Sequence, residues 1–372
     1  LSAEPEAVVD PVTAPAVVPF QRARPPDLYD VARLAGVSHQ TVSRVVNHHP
    51  HVRVSTRHKV MTAIAELGYR SNAAARTLVT RRSNTIGVIT SAAPLWGPIG
   101  TLVALERAAR DTGFGVNVAG MASIDPAVVD ATLRRFVDQG VDGIVVVAPE
   151  AAVSHIAEPF VTDVPVVLVA AGAEPAVGVQ IAAVDQEGGA RAAVRHLVDL
   201  GHREIAHISG PEPWFDATAR LRGWRRELSA HDLPAEVLLS GDWSSASGYA
   251  AGARLIRRGP VPTAVFVAND LMAIGVIKAL RHGGLRVPQD VSVVGFDDMP
   301  GVDFLAPSLT TVRQDLDALG RLCIDMLTRE PGSPTAAPTT VPAALVVRGS
   351  TAGPVRDAGW AARRPDGHTE PR

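Results

Sequence analysis

From Asn84 onward, short runs of consecutive apolar residues alternate with longer stretches in which apolar side chains return every three or four positions. The runs Ile86–Ile89, Gly115–Val118, Ile144–Val147, Val166–Val169, Ile205–Ile208, Ala264–Val267 and Val291–Gly295 predict strands. The stretches 126–139, 187–200, 217–230, 246–258 and 270–282 predict amphipathic helices between them. Near-continuous apolar strands alternating with helices specify a parallel sheet covered on both faces, an α/β fold. About 265 residues of this repeat fit two lobes better than one sheet.

Upstream the pattern is purely helical. Residues 28–47 hold two short amphipathic segments joined by Gly36-Val37-Ser38. Val31, Leu34 and Ala35 mark one apolar face, and Val42, Val45 and Val46 another. Asp27 suits the N-cap of the first helix and Ser38 that of the second, while Gly36 can take the left-handed conformation that ends a helix. A third helix is expected after Ser55, a good N-cap residue, with Val60, Ile64 and Leu67 on one face. Two short helices joined by a three-residue turn form a helix-turn-helix, whose second helix enters the major groove of DNA. That second helix exposes His39, Gln40 and Arg44, all able to read base edges. An ordinary helical hairpin is the alternative, although the exposed face here is polar and basic.

Composition sharpens this picture. The 372 residues carry a net charge of only −2, unevenly spread. Residues 28–82 hold nine Arg or Lys and two acids, a local charge of +7, which leaves −9 on the remainder. A basic head on an acidic body is the electrostatic footprint of a DNA-binding module carried by another domain. The single cysteine, Cys323, excludes an internal disulfide, fits a reducing cytoplasm and is expected to pack on a helix. No apolar run reaches membrane-spanning length, and no secretory signal pattern is evident, so no membrane partner is expected.

The expected organisation is a disordered leader over 1–27, a DNA-binding domain over 28–70, a linker over 71–83, a two-lobed domain over 84–350 and a disordered tail over 351–372. The linker is alanine-rich and helix-prone but too short to be stable alone. The tail lacks the apolar heptads of a coiled coil, which predicts a dimer rather than a tetramer. His48, His49 and His51 suggest a metal, but Pro50 and the lack of a fourth ligand argue against one. Gly113-Phe114-Gly115 precedes a strand rather than following one, so it is not a dinucleotide fingerprint. No metal or cofactor is expected.

The run Gln40-Thr41-Val42-Ser43-Arg44-Val45-Val46-Asn47, continued by Ala65-Glu66-Leu67-Gly68-Tyr69, resembles the DNA-binding head of the LacI/GalR family of bacterial transcription regulators. The resemblance extends across nearly all of residues 28–350. It implies DNA contacts from Tyr29, Ser38, His39, Gln40, Thr41, Ser43, Arg44, Asn47 and His51. It also implies a hinge helix over 71–79 that contributes Asn72, Ala75 and Leu78. Leu78 would wedge into the minor groove, where unstacking a base step is offset by added contacts. The core would have the periplasmic-binding-protein type I fold, with chain crossings between lobes near Val184-Asp185, near Thr310-Thr311 and at the C-terminal strand. The implied partners are a second copy of the chain, a near-palindromic DNA operator and a small effector.

Open α/β sheets bind ligands beyond the C-terminal ends of their strands. Asn269 and Asp270 follow one predicted strand, Asp297 and Asp298 another, and Arg220 is expected to open the helix after a third. The family resemblance picks out Arg220, Trp243, Asn269, Asp297 and Gln314 as ligand-binding, within Ala219-Arg220-Leu221, Gly241-Asp242-Trp243, Val267-Ala268-Asn269-Asp270, Gly295-Phe296-Asp297-Asp298 and Arg313-Gln314-Asp315. The set suits a sugar. Asp297 accepts from vicinal hydroxyls, Arg220 donates a planar fork, Asn269 and Gln314 do either, and Trp243 can lie against the apolar ring face. Strand-end capping is the alternative for Asn269 and Asp297, a surface ion pair for Arg220 and core packing for Trp243. An acidic sugar contact of the pattern is replaced by Ala170, and two pocket phenylalanines by Val184 and Leu316, which leaves the identity of the sugar or glycoside open. The leading function is a repressor released from its operator by that effector. The alternatives are a regulator that needs a corepressor, a sugar-binding protein of a transport system, and an enzyme on a Rossmann-like sheet. For the enzyme the chain offers no glycine fingerprint, P-loop, nucleophile elbow or paired metal ligands.

Overall fold

A computed structural model describes residue 24 and residues 26–46, 49–69, 82–91, 95–121, 125–147, 163–173, 178–212, 214–329 and 339–355. The chain divides into two compact units, residues 1–81 and 82–372. The calls on Asn47, Asn72, Ala75 and Leu78, and on the hinge helix, fall outside the described residues.

The first unit is a three-helix head of α1 (Leu28–Ala35), α2 (His39–Val46) and α3 (Val54–Leu67). Asp27 starts α1 through a capping box: its carboxylate accepts from the backbone N–H of Tyr29 and Asp30, and the Asp30 carboxylate accepts from the N–H of Asp27. Gly36 ends α1 at φ 65°, a left-handed conformation that costs glycine little. Ser38 Oγ then accepts the Thr41 N–H at 3.2 Å at the start of α2. Val31, Ala32, Val42, Val45, Val60 and Ala63 form the small core. Leu34, expected on the apolar face of α1, is 46% exposed, and Ala32 takes its place. Ser55 does not cap α3: the helix starts at Val54, two residues earlier than expected, behind Arg53, and has no side-chain cap.

The second unit has two lobes. In the N-terminal lobe, β1 (Thr85–Ser91), β2 (Gly115–Met121), β3 (Gly143–Val147), β4 (Val166–Val169), β5 (Val179–Val184) and β11 (Thr339–Val341) form a parallel sheet of order β11-β5-β4-β3-β1-β2. α4 (Trp96–Asp111) and α10 (Leu316–Thr328) cover one face, where Cys323 is buried, and α5 (Pro126–Asp138) covers the other. In the C-terminal lobe, β6 (Ile205–Ser209), β7 (Leu238–Ser240), β8 (Ala264–Val267) and β9 (Ser292–Val294) form a parallel sheet of order β7-β6-β8-β9. α6 (Gln186–Asp199) and α7 (Phe215–Ala230) pack on one face, and α8 (Ser245–Arg258) and α9 (Asp270–His282) on the other. β10 (Thr311–Gln314) pairs antiparallel with β12 (Ala343–Val346) and is bridged to the β9 edge.

The chain crosses between lobes three times: at Asp185, between β5 and α6; at Asp315, between β10 and α10; and at Pro342, between β11 and β12. The second crossing is expected near Thr310-Thr311. It falls later because Thr310 and Thr311 are buried in the C-terminal lobe and β10 completes its pairing with β12 first. The core also runs past Ser350, where the tail was expected to begin. Ser350 Oγ donates to the Val293 carbonyl, Ala352 N–H donates to Ser292 Oγ at 3.0 Å, and the Ala352 carbonyl lies 2.8 Å from His202 Nε2.

Candidate functional site

On the head, His39, Gln40 and Arg44 lie exposed along α2. Val42 and Val45 on the opposite side are buried, so packing fixes which face the helix presents. Tyr29 is 62% exposed, and its ring centroid lies 5.1 Å from that of His39, which joins α1 and α2 in one surface. Thr41 and Ser43 are half-buried, and Thr41 Oγ1 lies 3.0 Å from Ser38 Oγ. His51 is exposed in the loop before α3, its ring 5.6 Å from that of His49. Among the described residues no cluster of His, Cys, Asp or Glu could hold a metal ion.

In the C-terminal lobe all five expected ligand residues come together. Arg220 sits in the second turn of α7, not at its start, and is 2% exposed. Its guanidinium lies 3.8 Å over the Phe296 ring, which fixes its plane. Nε donates to Gln186 Oε1 at 2.9 Å, Nη1 donates to the Ala268 carbonyl, and Nη2 lies 3.5 Å from Asp297 Oδ1 and 3.8 Å from Asp216. Asp297 follows β9 at φ 115° and accepts from Gln314 Nε2 at 2.7 Å. Burial pushes the Asp297 carboxyl above the ordinary carboxylate range, and the Arg220 charge and the Gln314 hydrogen bond oppose that rise. The neighbouring Asp270 is also raised, by burial and by the charge of Asp297.

Asn269 is the N-cap of α9. Its Oδ1 accepts the Met272 N–H at 2.9 Å, and its Nδ2 donates to the Trp243 carbonyl at 3.1 Å. Trp243 is buried against the lobe core at φ 75°, and the Arg220 guanidinium lies 5.6 Å from its ring centroid. Gly210 makes room for it: a Cβ there would come within 2.2 Å of the indole. Trp214, which the sequence did not single out, packs edge-on against Trp243 at 5.5 Å and lines the space between the lobes.

That space is a cavity of about 50 Å³. Gly97, Pro98, Val169, Ala170, Val184 and Leu316 line it from the N-terminal lobe, and Gln186, Trp214, Asp216 and Gln314 from the C-terminal lobe. Small-molecule sites usually enclose roughly 300–1,000 Å³, several times this volume. Ala170, Val184 and Leu316 do face this space, as the departures from the sugar-binding pattern require. Asp216 and Gln186 join Trp214 among the site residues that sequence reasoning missed. None of the three carries a local signal; tertiary closure alone brings them to the cleft.

A model of bacterial regulatory proteins of the lacI family matches residues 27–72, and one of periplasmic binding protein-like domains matches residues 194–351. The lactose operon repressor of Escherichia coli strain K12 is 37% identical over 333 residues, which cover 89% of this chain and 92% of the repressor. The chain belongs to the lacI family of bacterial regulatory proteins. The transcriptional regulator CelR of Thermobifida fusca is 36% identical over 339 residues, with 85% of this chain and 96% of CelR covered. A crystal structure of the lac repressor dimer bound to operator and the anti-inducer ONPF superposes with a TM-score of 0.80 at 36% identity, over 88% of this chain and 100% of that one. The CelR–cellobiose complex gives 0.64 at 32% identity, over 87% and 99%. This family member is therefore a DNA-binding transcriptional regulator and not an enzyme. Among the described residues no helix is long and apolar enough to cross a membrane.

Proposed function

We propose that the protein represses transcription as a homodimer on a near-palindromic operator and leaves it when a sugar or glycoside enters the interlobe cleft. The observation that carries this reading is the buried Arg220–Asp297 pair, tied to Gln314 and Gln186 beside Trp214 at the C-terminal ends of β6, β8 and β9. A fork donor, a carboxylate acceptor and two amides within one wall are what vicinal hydroxyls require. Related regulators support the sugar class, since one is solved with cellobiose and another with ONPG. His39, Gln40 and Arg44 read base edges. Tyr29, Ser38, Thr41, Ser43, Asn47 and His51 hold the helix in register on the phosphates, and Asn72, Ala75 and Leu78 act at the operator centre. The protein acts in the bacterial cytoplasm, on the chromosome.

The test is a thermal-shift screen of mono- and disaccharides, lactose and cellobiose included. A ligand that binds only the native state raises the midpoint, by about 2.7 kcal/mol of stability at a hundredfold excess over Kd. A sugar that raises the midpoint of the wild type and not of Arg220→Lys supports the assignment. A screen in which no sugar moves the wild-type midpoint contradicts it.

A further inference from the structure

The cleft wall is wired to two of the three points where the chain crosses between lobes. Arg220 Nε donates to Gln186 Oε1 at 2.9 Å, Gln186 Nε2 donates to Gln314 Oε1 at 2.8 Å, and Gln314 Nε2 donates to Asp297 Oδ1 at 2.7 Å. The Arg220–Asp297 ion pair at 3.5 Å closes the ring. Its polarity is set at both ends, because a guanidinium can only donate and a carboxylate can only accept. Each amide must therefore present its oxygen toward Arg220 and its nitrogen toward Asp297. Gln186 is 3% exposed, so a broken link leaves a buried amide without a partner.

Gln186 adjoins Asp185 and Gln314 adjoins Asp315, the residues at the first and second crossings. The two crossings are built alike. Asp185 has φ −69° and ψ 78°, Asp315 has φ −82° and ψ 78°, and each carboxylate caps the helix that begins after it, on the N–H of Gly188 and of Ala318. The 2.8 Å bond from Gln186 to Gln314 is thus a strap between the two hinges, 128 residues apart in sequence.

We propose that Gln186 is a positioning residue that couples occupancy of the Arg220–Asp297 wall to the angle between the lobes. A ligand hydroxyl that takes Asp297 competes with Gln314 for its acceptor, and one that takes Arg220 competes with Gln186 for its donor. Either exchange releases or re-aims the strap, whose ends adjoin Asp185 and Asp315 at the two crossings. The inference rests on the proposal that this wall receives the effector.

The test measures the distance between lobes in the ligand-free, full-length protein. Cysteines introduced by Asp138→Cys in the N-terminal lobe and Glu236→Cys in the C-terminal lobe carry spin labels at exposed positions, and the native Cys323 is fully buried and stays unlabelled. Pulsed dipolar spectroscopy then compares the unstrapped variants Gln186→Leu and Gln314→Leu, the site variant Arg220→Ala and the double variant Gln186→Leu with Arg220→Ala. The expected result is a displaced or broadened interlobe distance in each single variant, with the double variant no different from the singles, since all cut one ring. The proposal is overturned if both leucine variants keep the wild-type distribution, or if the effects of Gln186→Leu and Arg220→Ala add. Two leucine variants guard against one that fails to fold. Because no sugar enters the measurement, a failed sugar screen sinks the reading of the site, whereas an unchanged distance sinks the strap.

Discussion

Arg220 commits its donors inside its own lobe: Nε to Gln186, Nη1 to the Ala268 carbonyl and Nη2 toward Asp297 and Asp216. Arg220→Lys keeps the charge but loses the planar fork, and the two are not interchangeable at such a site. Effector affinity measured by calorimetry should fall at least about tenfold. Gly210→Ala should cost about 1–3 kcal/mol in chemical denaturation by pressing a methyl group into the Trp243 indole; an unchanged midpoint would mean that the indole is free to move. His207 is fully buried between Phe266 and Trp224. Burial depresses its pKa to about 3, against the hydrogen-bonded Phe266 carbonyl, which favours the charged form. Below about pH 6.5 the unfolded chain takes up a proton that the folded one refuses. Stability should therefore fall with pH from about 6.5 toward 3, by at most about 1.4 kcal/mol per unit from this group. His207→Leu should flatten that part of the pH–stability curve, and a slope as steep as the wild type's would assign the loss to other groups.

At the scale of elements, α2 presents one face because Val42 and Val45 must be buried. Gln40→Ala should change which operator bases are preferred, by roughly 1–3 kcal/mol at the affected base pair, as read by binding to a panel of single-base operator variants. Uniform weakening across the panel would make Gln40 a backbone contact instead. The head and the longer strands were legible in the sequence because each follows from a local rule: caps at Asp27, Gly36 and Ser38, and both-sided apolar runs at Val166–Val169 and Ala264–Val267. The elements that sequence reasoning passed over lack such a rule. β7 and β11 are three residues long, β10 ends in Arg313-Gln314, and α4 begins with Gly97 and Pro98. Their pairing is fixed by partners far along the chain, as when β11 joins β5.

For the whole molecule, the site was partly legible because the family pattern fixed five residues that the fold does gather. It was incomplete because Gln186, Trp214 and Asp216 gain meaning only when α6 and α7 meet the ends of the strands. The pattern also singled out Trp243, which packs against Gly210 and Trp214. A repressor of this design needs two heads at the spacing of successive major grooves. Light scattering of the full chain should give the mass of a dimer, and a monomer would contradict the proposed function. In the proposed function, one molecule both senses a sugar and releases DNA. Operator affinity, measured by anisotropy on a site selected from random DNA with and without a sugar that raises the melting midpoint, reads this coupling. The sugar should weaken binding about 5- to 150-fold, a coupling of about 1–3 kcal/mol, and Arg220→Lys should abolish the effect at the same sugar concentration. An operator affinity that the bound sugar leaves unchanged, or tightens, would contradict the proposed function.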